Sequence, residues 1–210
     1  AYVDQFKYTF YKWLTDDYSE GHEFFSQIDY KHSYNTSLYL RFRSKSTERN
    51  TIDDVDGAKF QVPLRKNSLR LHYSQRVSNQ WSIRSRVEWV NYRLDEDTSN
   101  GLLFYQDLIF KFDKIPLKVY GRYAIFDTDS YDARVYAYEN DLWGVFSIPS
   151  YFYQGIRTYV MLKYDVGRRL DIWLRYDLWS YANRDQISSG LETIEGSEKS
   201  TIKIQVKIRI

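Results

Sequence analysis

The sequence predicts an all-β chain, folded as an antiparallel transmembrane β-barrel of about twelve strands with short turns on one rim and longer acidic loops on the other. Three observations carry this. Apolar and polar residues alternate with a period of two along most of the chain, and no segment keeps a helical period. The alternating stretches run to about 9–11 residues, enough to cross a bilayer at a tilt, where a sandwich strand usually has about 5–6. The connections alternate in kind between short turns and longer polar loops.

The first strand is placed at 2–14, where Phe6, Tyr8 and Phe10 alternate with Gln5, Lys7 and Thr9. The next two, 22–32 and 36–45, meet at HSYN (32–35). In the second of them Leu38, Leu40 and Phe42 alternate with Tyr39, Arg41 and Arg43. Strands 66–76 and 80–93 meet at VSN (77–79). Leu69, Leu71 and Tyr73 alternate there with Arg70, His72 and Ser74, and Trp81, Ile83, Val87 and Trp89 with Arg84, Arg86 and Glu88. Strands 101–113 and 116–127 turn at DKIP (113–116). Two more spanning strands are expected at 132–139 and 142–151 around YEND (138–141), with one bent strand as the alternative. Strands 155–165 and 168–181 turn at DVGR (165–168), and Leu170, Ile172, Leu174, Tyr176 and Leu178 alternate with Asp171, Arg175 and Asp177. The last strand, 199–210, sets Ile202, Ile204, Val206, Ile208 and Ile210 against Lys203, Gln205, Lys207 and Arg209. The longer connections are 15–21, 46–60, 95–101, 127–132 and 183–199, and 151–155 falls on the same rim.

Composition agrees with such a barrel and excludes several functions. The 210 residues suit a single domain, 1–210, and include 21 Tyr, 12 Phe and 6 Trp. Aromatics at this density fit a surface that is part apolar and part wet. A net charge of +2 gives no bulk case for nucleic acid. The lack of cysteine excludes disulfides, thiolate metal sites and a cysteine nucleophile. No apolar run reaches about 18 residues, so no transmembrane helix is expected. The negative mean hydropathy is no obstacle to a barrel, which shows lipid only every second residue. AYVDQFKYTFYKW has neither a charged n-region nor an apolar h-region, which suggests a mature chain or a piece of a longer one.

Period-two alternation sorts residues onto two faces. Leu38, Leu40, Phe42, Ile172, Leu174, Ile202, Ile204, Val206 and Ile208 are expected to face lipid. Arg41, Arg43, Arg70, Arg84, Arg86, Lys118, Arg122, Arg134, Arg157, Arg175, Lys203 and Lys207 are expected to line the lumen. Trp13, Trp81, Trp89, Tyr92, Phe112, Trp143, Tyr151 and Trp179, near strand ends, suit interfacial girdles. The alternative is a soluble β-sandwich or barrel that buries the apolar face.

The stretch FDTDSYDARVYAYENDL (126–142) resembles the carboxy-terminal barrel region of helix-hairpin-helix domain-containing outer-membrane proteins of the Bacteroidota. SIRSRVEWVNY (82–92), LLFYQDLIFKF (102–112) and RLDIWLRYDLWSY (169–181) fit the same pattern in order, so the resemblance covers roughly Leu69 to Ile210. It implies an outer-membrane barrel in a Gram-negative cell, with membrane lipid and lipopolysaccharide around it and other envelope proteins as partners. It implies no DNA binding here, because the hairpin module of those proteins lies upstream and this chain has no glycine-centred helical hairpin. These residues would then be the last part of a larger barrel.

Two non-enzymatic functions follow. Acids on the lumen side (Asp29, Glu88, Asp107, Asp165, Asp171 and Asp177) are outnumbered by bases, and rings of arginine and lysine favour anions in a pore. Alternatively, those arginines pair with the acids and seal a scaffold subunit of an envelope complex. The long loops carry carboxylates: Asp16, Asp17 and Glu20; Asp53, Asp54 and Asp56; Asp95, Glu96 and Asp97; Asp127, Asp129 and Asp132; Glu192, Glu195 and Glu198. DVDG and DTDSYD lack the distal glutamate of a calcium loop, so solvated loops are expected and no metal or cofactor. An outer-membrane phospholipase would need a serine–histidine pair. His22 and Ser26, four apart on one strand, are separated by about 13 Å; His32 lies at a turn and His72 on the lumen face, so no catalytic residue is assigned.

Overall fold

The computed structural model describes residues 1–10, 15, 18–50, 60–188 and 190–209. Trp13, Asp16, Asp17, Asp53, Asp54, Asp56 and Ile210 lie outside them.

The strands are β1 (Tyr2–Tyr8), β2 (Ser19–Ser33), β3 (Thr36–Asn50), β4 (Gln61–Arg76), β5 (Trp81–Leu94), β6 (Asp97–Lys111), β7 (Leu117–Thr128), β8 (Val135–Tyr136), β9 (Ser150–Tyr151), β10 (Gln154–Val166), β11 (Leu170–Tyr181), β12 (Gln186–Ile187), β13 (Ile194–Glu195) and β14 (Glu198–Ile208). Ten form one antiparallel sheet in the order β1-β2-β3-β4-β5-β6-β7-β10-β11-β14. β8 pairs with β9, and β12 with β13. The chain is therefore an all-β antiparallel meander, and among the described residues the long strands form one sheet rather than the two of a sandwich. No helix among the described residues is long and apolar enough to cross a membrane, which says nothing of a β-barrel.

The short turns fall where the alternation lapses. β2 and β3 turn at 34–35, β4 and β5 at 77–80, β6 and β7 at 112–116, and β10 and β11 at 167–169. At the other rim one expected loop disappears. β5 and β6 stay paired through Tyr92–Ser99, Arg93–Thr98 and Leu94–Asp97, leaving only Asp95 and Glu96 to turn. Asp95 adopts φ 52°, the left-handed conformation that a tight hairpin needs and that aspartate tolerates.

The expected pair of spanning strands at 132–139 and 142–151 does not form. β7 pairs directly with β10, and the 129–153 segment leaves the sheet. It begins with the short 3-10 turn Tyr131–Ala133, runs through β8 and returns through β9. The segment alternates as a strand does, with Val135, Ala137 and Glu139 buried and Tyr136 and Tyr138 exposed. Its buried face packs against the sheet's own side chains instead of lipid, so the pattern that suggested two spanning strands describes a loop folded over the sheet. Ten long strands stand where about twelve were expected.

Register places the apolar residues of the opposite face side by side. Ile28 pairs with Leu40, Leu40 with Leu71, Leu71 with Val87, Val87 with Phe104, Phe104 with Ile125, and Ile125 with Ile156. All seven are exposed. The row begins five residues from the short-turn end of β2 and reaches Ser180, next to the long-loop end of β11. Such drift is the stagger of strands tilted against their hydrogen-bond rows.

The apolar core lies on the face covered by the loop. Val90, Leu103, Tyr105, Ala124 and Phe126 of the sheet pack there with Val135, Ala137 and Tyr151 of the loop. A Cβ at Gly101 would collide with the carbonyl of Ala133, so glycine at this position of β6 lets the loop settle onto the sheet.

Candidate functional site

The site is the loop-covered face, where the 129–153 loop meets the predicted lumen residues. Glu139 is fully buried, at 0% exposure. Arg157 donates to it from Nε at 2.6 Å and from Nη2 at 2.8 Å, and Arg175 donates from Nη2. The Tyr151 hydroxyl donates to the same carboxylate at 2.7 Å. Asp141 pairs with Arg175 Nη1 at 2.6 Å and Lys203 Nζ at 2.9 Å. Asp177, on β11, pairs with Arg157 at 3.1 Å. Three arginine or lysine side chains from β10, β11 and β14 are thereby tied to two carboxylates of one loop. A buried carboxylate so surrounded is tolerable only because each partner is itself paired.

Other predicted lumen residues share this face. Arg122 makes a bidentate pair with Asp107 at 2.6 and 2.8 Å and stacks over Tyr105 at 3.8 Å. Arg70 makes a bidentate pair with Glu88, and Arg86 lies 3.6 Å from the same carboxylate. Arg43 is held by Glu23 and Arg41 by Gln27. Lys207 sits 3.5 Å over the Trp143 ring at the loop's tip. Arg84 and Lys118 make no ion pair among the described residues. Leu38, Leu40, Phe42, Ile172, Leu174, Ile202, Ile204, Val206 and Ile208 all occupy the opposite face of their strands.

Three expectations need correction. Arg134 does not sit on a spanning strand. It follows the 3-10 turn, stacks over Tyr131 at 4.1 Å and donates to the Tyr136 hydroxyl at 2.7 Å. Tyr92, Tyr151 and Trp179 are not girdle residues: Tyr151 and Trp179 turn inward onto Phe126, and Tyr92 packs with Leu94 and Ala133. Basic residues on this face are also less free than a count of strand positions suggests. That count omitted Glu23, Glu139 and Asp141, of which the last two arrive from the loop. The signal that could have found Glu139 is its phase: it continues Val135 and Ala137 on one face, so it points where they do.

His22 lies opposite Ser46 on β3, and His72 stacks on Tyr39 with ring centroids 4.9 Å apart. Among the described residues no group of three His, Cys, Asp or Glu side chains is placed to hold a metal. No family model matches the chain, and neither the curated proteins nor the solved structures contain a match.

Proposed function

We propose that this chain forms the wall of an outer-membrane β-barrel whose interior is occluded by its own 129–153 loop, and that it acts as a sealed scaffold of the cell envelope rather than as an open anion pore. The exposed apolar row from Ile28 to Ile156 supports the membrane reading, because soluble proteins rarely show so wide a contiguous apolar surface. Closure would require β1 and β14, the sheet's two edges, to pair with each other or with further strands, since hydrocarbon leaves no unpaired edge. One loop reaching from Arg49 on β3, through Asp132, to Lys203 on β14, through Asp141, favours a sheet curled around it.

The observation that carries the sealed reading is Glu139, buried between Arg157 and Arg175. These arginines, with Arg122 and Arg70, would be the selectivity ring of an anion channel. Each is instead paired with a carboxylate, so its charge is spent inside the protein. The outer-membrane setting and the likeness of residues 126–142, which overlap this loop, to the Bacteroidota barrels belong to the same proposal.

The test is single-channel recording from the purified chain in a planar bilayer under a salt gradient. The sealed reading expects little or no steady current from the wild type and a clear gain in the double variant Glu139→Gln, Asp141→Asn. Steady, anion-selective current from the wild type would favour the open pore.

A further inference from the structure

A cleft of about 800 Å³ opens at the long-loop rim, between the inward loop, the top of β11 and residues 183–188. Its floor is aromatic. The rings of Trp179 and Tyr181 are parallel within 3°, with centroids 5.9 Å apart. Arg157 covers Trp179 from the core side at 4.2 Å, which holds the indole in place. Tyr153 and Phe152 pack edge to face at 4.8 Å beside them.

Two of the cleft's residues hold unusual backbone. Tyr153 has φ 66° and Ser188 φ 65°, a region that side-chain-bearing residues adopt only when their surroundings impose it. For Tyr153 the constraint is Thr128, whose N–H donates to the Tyr153 carbonyl at 2.8 Å and whose Oγ1 accepts from the Tyr153 N–H at 2.7 Å. The clamp turns the Tyr153 ring into the cleft, where Arg184 lies over it at 3.5 Å.

The rim is polar, and on it Arg184 and Lys199 outnumber Asp185. Arg184 and Lys199 make no ion pair among the described residues. Asn183 uses its Oδ1 to accept from the Gln154 N–H, which leaves its amide N–H groups free to donate. Apolar rings below and planar hydrogen-bonding groups above suit a ligand with apolar faces and hydroxyl edges. An unpaired guanidinium adds the geometry that grips a carboxylate or phosphate.

We propose that this cleft binds a glycan through an acidic sugar residue, its ring on the Trp179–Tyr181 platform and its anionic group on Arg184 and Lys199. The sugar comes either from a soluble acidic oligosaccharide or from the core of lipopolysaccharide. This goes beyond the barrel reading and is tested separately from it, because binding is measured in detergent and does not depend on closure or conductance.

The experiment is titration calorimetry of the full chain in detergent with a galacturonic acid trimer, a neutral galactose trimer and purified lipopolysaccharide. The acidic trimer is expected to bind saturably, about tenfold or more tighter than the neutral one, as a charged hydrogen bond requires. Arg184→Ala, whose side chain is exposed, should keep the melting profile and lose about tenfold or more in affinity. Lys199→Gln should weaken binding in the same direction. Binding of the free trimer assigns a soluble glycan, and binding of lipopolysaccharide alone assigns the membrane source. No binding of any of the three to the folded protein, equal affinity for both trimers, or binding indifferent to both variants would overturn the proposal.

Discussion

Glu139 and Arg157 lie 18 residues apart and meet in a two-pronged hydrogen bond, 2.6 and 2.8 Å, at a point from which water is excluded. Arg157 stands on β10, and Glu139 stands on the loop that precedes it. Their pairing turns what would be a connection between neighbouring strands into a cover over the sheet.

Glu139→Gln keeps the shape of the side chain and removes its charge. Arg157 and Arg175 then share only Asp177 and Asp141. Breaking a buried pair on one side costs about 3–5 kcal/mol. The variant should lose about that much in denaturant unfolding from detergent, and its 129–153 loop should become a protease target. An unchanged midpoint would show that the pair contributes nothing to holding the loop.

Acid should release the same loop, but only well below neutrality. Burial pushes the Glu139 carboxyl up, but Arg157, the Tyr151 hydroxyl and Arg175 together outweigh it and hold the group below its ordinary value. Burial likewise raises Asp141, and Lys203, the Leu142 N–H and Arg175 together outweigh it. Both groups are depressed in the folded state. Their contribution is therefore complete above the ordinary carboxylate range and is lost as pH falls through the lower folded values. Proteolysis of the loop should stay slow from about pH 8 to 5 and rise only below about pH 4. Release near pH 6 would assign the latch to another group.

Val87→Arg separates a membrane protein from a soluble one. Val87 is exposed and central in the apolar row, paired with Leu71 and Phe104. On a lipid face near the midplane, arginine costs about 2–4 kcal/mol. On a watery face an exposed substitution stays within about 0.5 kcal/mol. Unfolding from lipid vesicles measures the difference.

Arg84 and Arg122 should behave differently when neutralised. Arg122→Gln leaves Asp107 buried without its partner and should lower stability by about 3–5 kcal/mol. Arg84→Gln removes no ion pair and should leave stability within about 0.5 kcal/mol. Thermal unfolding of the two variants side by side checks this.

Single cysteines placed in β1 and β14 report how the sheet edges are met, because the chain has no cysteine of its own. A scan that pairs one position from each strand should give an intrachain crosslink at some register if the sheet closes on itself. Crosslinks only between chains would show an assembly that closes the barrel in common.

Face assignment was legible in the sequence. Whether Leu40 or Ile204 faces away from the loop-covered side depends only on the pleat, a two-residue period that any strand obeys. The short turns were legible for a similar reason, since HSYN, VSN, DKIP and DVGR break the alternation within a few residues. The ends of β5 and β6 were not, because the charged run from Asp95 reads as a loop while backbone pairing carries the hairpin almost to its tip. The fate of the 129–153 segment was decided by tertiary structure alone. Val135, Ala137 and Glu139 alternate as a spanning strand would, and nothing local distinguishes a strand in the sheet from one lying upon it. What distinguishes them is the partner of Glu139, found 18 residues away at Arg157 and 36 away at Arg175. A buried carboxylate is stable only where folding brings cations to it, and that meeting exists only in three dimensions.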